Sequence, residues 1–154
     1  MQLLRKVASF TSKREDLLHI YKIFVRPILE QSCTVWSSSL TQDCIAALER
    51  VQKGAFKIIL GDKYKNYEEA QKHLHETDLI TRRNMLSLKF AKKCTRNPKM
   101  KHLFSINKQR SVMKLRKQKK SKMNNIHTER FKRSAIPHMK RLFNEYCIKE
   151  EINT

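Results

Sequence analysis

Arg50, Lys53 and Lys57 stand at i, i+3 and i+7 within the stretch LERVQKGAFKIILG, Leu48–Gly61. At about 100° per residue, that spacing stacks three cations along one side of a helix. Cys44, Leu48, Val51, Ala55, Ile58 and Ile59 fall on the other side, with one polar residue, Gln52, among them. A row of cations on a rigid element binds anions, and phosphate oxygens in particular, through charge-assisted hydrogen bonds. A second row, Arg82, Lys89, Lys92, Lys93 and Arg96, lies along a later periodic stretch. A third group, Lys114, Arg116, Lys117, Lys119, Lys120 and Lys122, falls in residues 105–128, which contain no acid. All three groups are candidate nucleic-acid-binding residues.

Other chemistry has little to work with. Two glycines, Gly54 and Gly61, cannot write a P-loop or a dinucleotide fingerprint. The aspartates Asp16, Asp43, Asp62 and Asp78 form no evident metal-binding pair, and two-metal phosphoryl chemistry needs converging carboxylates. The cysteines, at 33, 44, 94 and 147, make no CxxC, and His73-x-His75 alone does not complete a zinc site. They are expected to be reduced and mostly buried. No catalytic residue, metal ligand or cofactor site is predicted.

Charge is the strongest compositional signal. Lys and Arg number 34 against 14 acids in 154 residues, a net charge of +20. A field of that size attracts polyanions, nucleic acid ahead of anionic membrane. No apolar run reaches membrane-spanning length, and Leu3–Leu4 before Arg5 is too short for a signal-peptide core. The expectation is a soluble intracellular protein, nuclear before cytoplasmic, with no membrane partner. The run LRKQKKSK has the composition of an import signal.

The elements that must carry these cations read as an all-α chain, a bundle of four to five helices followed by a basic flexible linker and a C-terminal helix. No alternation persists long enough for a sheet. Leu3, Leu4, Val7 and Phe10, at helical spacing, read as the end of a helix, and Ser12 with Glu15 forms a capping box for a second, about 13–33. That second helix is apolar nearly all round, which predicts a central position, and Pro27 should kink or break it. Trp36 caps the core or, alternatively, stacks on a base. Thr41 caps the Arg50 helix and Gly61 ends it. Asn66 with Glu69 opens a short helix near 67–75, and Thr77 caps another over 78–96, ended by Pro98. Arg83 projects between Leu79 and Phe90 on that helix and needs a carboxylate or a phosphate. The predicted division is a helical domain 1–104, a linker 105–129 and a C-terminal helix within 130–154. Ile136, Met139, Leu142, Phe143 and Tyr146 give that last helix an apolar face, to dock on the bundle or to bind a partner.

Five segments in one order carry a resemblance: IYKIFVRPILEQSCTVW (Ile20–Trp36), LERVQKGAFKIILG, YKNYEEA (Tyr64–Ala70), RRNMLSLKFAKKC (Arg82–Cys94) and RSAIPHMKRLFNE (Arg133–Glu145). Over nearly its whole length the chain resembles the C-terminal, thumb-onward segment of jockey-like non-LTR (LINE-type) retrotransposon reverse transcriptases. It departs at Gln31 and Thr34, where relatives carry an aromatic residue and a proline. The resemblance implies an RNA-directed DNA polymerase whose catalytic aspartates belong to palm and fingers domains preceding this segment. Those upstream domains are then implied partners, and this chain alone is not an enzyme. The resemblance further implies that the segment holds an RNA/DNA template–primer by sequence-independent phosphate contacts. Two other readings stand beside it: a non-enzymatic basic adaptor whose residues 137–147 engage a protein groove, and a relic without selected function.

Overall fold

The computed structural model describes residues 1–10, 13–104, 121, 123, 125 and 128–152. Their regular structure is helical, with no strand among the described residues. The fold is all-α. It consists of two compact units, one of Met1–Cys33 with Leu40–Arg83, the other of Thr34–Ser39 with Asn84–Thr154. The boundary between the two units falls inside the 78–96 helix. Its physical reason is which segment covers which apolar face: the C-terminal residues of that helix bury themselves with Met139, not with the Arg50 helix. The expected linker, 105–129, lies for the most part outside the described residues.

In the first unit, α1 (Gln2–Phe10) buries Leu4, with Val7 and Ala8 against the core. Leu3 and Phe10 were expected on the same face but are exposed, Phe10 to 90%. The next helix begins as α2 (Arg14–Ile20). Its N-cap is Lys13, which makes no side-chain cap, and Ser12 of the expected capping box lies outside the described residues. A π-helical turn (Tyr21–Val25) follows, and α3 (Arg26–Glu30) completes the segment.

That turn corrects the expectation of a central, all-round buried helix. In an unbroken α-helix Leu17, Tyr21, Phe24 and Ile28 would share one face. The i→i+5 turn, closed by the Arg26 N–H donating to the Tyr21 carbonyl, takes up one additional residue. Every later position moves on by one. Val25 packs against the core and Leu29 is half-buried, while Phe24 and Ile28 are left 56% and 73% exposed. Pro27, which has no N–H to donate, sits in the first turn after the anomaly. The helix stops at Glu30, earlier than the expected 33, because Gln31 turns to ψ 123° and Ser32 takes φ 52°.

The principal helix of this unit, α5 (Gln42–Leu60), follows α4 (Cys33–Trp36) and a 3₁₀ turn (Ser37–Ser39). Thr41 caps α5 as expected, its Oγ1 accepting from the Cys44 N–H at 3.3 Å. Gly61 ends it at φ 55°, ψ −128°, a region costly to side chains, and starts a 3₁₀ turn (Gly61–Lys63). The chain then reverses into α6 (Tyr67–Leu74). Asn66 caps it as anticipated, its Oδ1 accepting from the Glu69 N–H at 2.8 Å, while the Glu69 carboxylate accepts from the Asn66 side-chain amide, Nδ2 to Oε1 at 3.1 Å. The core closes around Leu4, Leu17, Tyr21, Ala55, Phe56, Ile59, Leu60, Ala70 and Leu74.

The long α7 (Leu79–Arg96) runs through the boundary between the units. Its cap is Asp78, whose Oδ2 accepts from the Thr81 N–H at 2.9 Å, in place of the expected Thr77. The buried positions on it are Leu79, Arg83, Ser87, Ala91 and Cys94, near-regular steps of four along one side. In the second unit Ala91 and Cys94 pack with Phe104, from a 3₁₀ turn (Lys101–Phe104), and with Met139. Met139 belongs to α9 (Ala135–Ile152), preceded by the short α8 (Glu129–Lys132). The α9 face that an adaptor would offer to a partner is thus used inside this unit, with Met139 buried and Phe143 packed against the same core. The cysteines are free thiols, all buried except Cys44.

His138 gives the second unit a pH dependence. Its ring Nε2 lies 3.3 Å from Asn84 Oδ1, and burial, helped by the Arg141 charge, holds its pKa below the usual 6.5. The unfolded chain binds this proton more readily, so stability is full above about pH 6.5 and is lost as pH falls below it. Urea unfolding followed by the fluorescence of Trp36, the chain's one tryptophan, should show a lower midpoint at pH 5.0 than at pH 7.5. In His138→Gln that difference should shrink.

Candidate nucleic-acid interface

The side chain that orients α5 is Gln52, 2% exposed. Tyr21 Oη donates to its Oε1 at 2.9 Å, and its Nε2 donates to Tyr67 Oη at 3.0 Å and to the Thr77 carbonyl at 2.9 Å. Tyr67 Oη donates in turn to Glu49 Oε2 at 2.7 Å, and the other carboxylate oxygen accepts from the Ile80 N–H at 3.2 Å. One amide thereby ties α5 to Tyr21, to α6 and to the approach of α7. Burial raises both phenol pKa values far above the ordinary tyrosine range, and the Glu49 contact adds to the effect at Tyr67, so both stay protonated donors. Gln52, the one polar residue on the apolar side of the helix, is thus buried with its partners the two tyrosines and Thr77. Arg83 is 1% exposed and out of reach of a phosphate on the surface.

With Gln52, Ala55, Phe56 and Ile59 turned inward, Arg50, Lys53 and Lys57 are left exposed on the opposite side of α5. The inward face is rotated from the one expected: Phe56 is fully buried, while Cys44 is exposed and Leu48 only half-buried. Two of the cations rest on aromatic rings. Lys53 Nζ stands 5.0 Å from the centroid of Tyr67, whose ring also stacks on Phe56 at 5.9 Å. Lys57 Nζ stands 5.4 Å from the centroid of Tyr64. The pairing order, 53 with 67 and 57 with 64, is that of a chain folded back on itself at Gly61. Each contact is worth about 0.5–1 kcal/mol at an exposed site. Each also restricts a lysine that would otherwise lose rotamer freedom on gripping an anion. The sequence held the signal: K-x₃-K and Y-x₂-Y, each at one-turn spacing, flank a glycine stop.

The second row divides. Arg82 is half-buried and ion-paired through Nε to Glu30 Oε1, and Lys92 lies over the Tyr146 ring at 3.3 Å from its centroid. Both are committed to protein groups. Lys89, Lys93 and Arg96, at i, i+4 and i+7, remain exposed on the second-unit part of α7. Lys114, Arg116, Lys117, Lys119, Lys120 and Lys122 lie outside the described residues. Among the described residues there is no group of three or more His, Cys, Asp or Glu that could hold a metal ion. Likewise no helix of the described residues is long and apolar enough to cross a membrane. Comparison with protein-family models, curated proteins and solved structures finds no match to this chain.

Proposed function

We propose that the chain is a thumb-type, non-catalytic nucleic-acid-binding segment of a non-LTR retrotransposon reverse transcriptase. In this reading it holds an RNA/DNA template–primer through the phosphate backbone, while polymerisation belongs to palm and fingers domains preceding it, and its place of work is the nucleus. The observation that carries the binding half is the row Arg50, Lys53 and Lys57, exposed along one side of a helix anchored from behind by Gln52. The reverse-transcriptase half rests on the five segments named above. Phosphates follow from the chemistry on display: ammonium and guanidinium groups on a rigid element, with both tyrosine rings of the row covered by lysines and so not offered to bases.

The test is the salt dependence of binding to a short RNA–DNA hybrid. A log–log slope of about −4 to −7 is expected, from roughly five to eight neutralised phosphates. Undetectable binding at low salt would sink the proposal. The competing adaptor reading rests on residues 137–147; the exposed apolar side chains that could serve it are instead Phe24 and Ile28, and it requires a slope near zero toward the hybrid.

A further inference from the structure

A separate cleft opens in the first unit where the chain leaves α5 and enters α6. It is a solvent-open depression of about 410 Å³ lined by Leu60, Ala70 and the exposed Lys63, Lys65, Glu69, Lys72 and His73. That volume lies within the range of small-molecule sites, roughly 300–1,000 Å³. None of its cations belongs to the row on α5.

Local backbone brings these residues to one depression. Tyr64 is extended, φ −75° and ψ 114°, and packs its ring against the core beneath Lys57. Lys63, the last residue of the 3₁₀ turn, and Lys65, just past the extended Tyr64, both contribute to the lining. Lys72 and His73 come from the last turn of α6. Leu60 and Ala70, 4% and 2% exposed, make an apolar floor. The one carboxylate of the lining, Glu69, is held toward Asn66 at the start of α6, where the helix dipole also favours it. Three ammonium groups against one carboxylate leave the cleft cationic, with a ring N–H from His73 beside them.

We infer that this cleft is a binding site for a diphosphate group on a nucleotide-sized ligand. A diphosphate carries about three negative charges near neutral pH, and lysine binds phosphate as a point charge with rotatable donors. Two sources share this chemistry: a free nucleoside diphosphate and the 5′-polyphosphorylated end of an RNA strand.

Calorimetric titration of the full chain with inorganic pyrophosphate and with ADP at low salt tests the site. Saturable one-to-one binding is expected, weakened about tenfold or more by Lys63→Ala with Lys72→Ala and changed less than about twofold by Arg50→Ala with Lys53→Ala. Non-saturable heats, or equal losses in the two double variants, would overturn the inference. Should the first double variant not fold, the His73 ring resonances of the unaltered chain must move on addition of pyrophosphate; if they do not move, there is no site. A short 5′-triphosphorylated RNA that displaces ADP, where its 5′-hydroxyl counterpart does not, assigns the strand end as the source. ADP binding that neither RNA displaces assigns the free nucleotide, and equal displacement by both rejects a phosphate-terminus site. Hybrid binding through α5 is read independently of all these arms.

Discussion

Arg50→Glu combined with Lys53→Glu should lower affinity for an RNA–DNA hybrid by roughly a hundredfold near 50 mM salt, with helix content unchanged. The magnitude follows from counterion release. Log K moves by about 0.9 per decade of salt for each neutralised phosphate, so one contact is worth about a decade at that concentration. Two lost contacts give the hundredfold effect, and the log–log slope should become shallower by about two. Both residues are exposed, so the fold has little reason to respond. Lys53 does surrender its place over Tyr67, a cost of about 0.5–1 kcal/mol that stability measurements would register as small. Filter binding over a salt series, beside far-ultraviolet circular dichroism, gives both readings. Unchanged affinity in the double variant would remove α5 from the interface.

The second large effect is on stability. Gln52→Leu should destabilise the first unit by about 2–4 kcal/mol, read as a lower urea midpoint and faster amide exchange along α5. Leucine fills a similar space but offers neither acceptor nor donor. The Tyr21 hydroxyl, on a residue with no exposure, then has lost its acceptor, and a buried unsatisfied group costs about 1–3 kcal/mol. The Thr77 carbonyl, on an exposed residue, can turn to water, and Tyr67 keeps Glu49. Most of the loss therefore belongs to Tyr21. Adding Tyr21→Phe to Gln52→Leu should recover part of it, because removing both partners leaves nothing stranded. A double variant as unstable as the sum of the two single ones would place the cost in packing instead.

How far these features could be read in advance depends on whether their cause is local. The caps at Thr41 and Asn66 and the stop at Gly61 are local chemistry, settled within four residues, and the structure has them as anticipated. The cation row on α5 is local too, since spacing alone sets it. The inward face of α5 is not: Phe56 replaces Cys44 because Tyr21 and Tyr67 close around it, at 5.7 and 5.9 Å between ring centroids. Arg82 and Lys92 look like free cations in the sequence and are not, because Glu30 and Tyr146 lie 52 and 54 positions away in the chain. Asp78 supplanted Thr77 as a cap by a one-residue shift, which frees the Thr77 carbonyl for Gln52. The cationic cleft escaped the sequence reading altogether. Lys63, Lys65 and Lys72 have no common period, and only the chain reversal at Gly61 assembles them.

The wide turn at Tyr21–Val25 has a consequence at the level of the gene. It differs from an ordinary helix by one residue, and that residue decides whether Phe24 or Val25 faces the interior. Three nucleotides thus separate two versions of this segment with almost the same composition. One turns its largest apolar side chains inward, and the other carries them on its exterior.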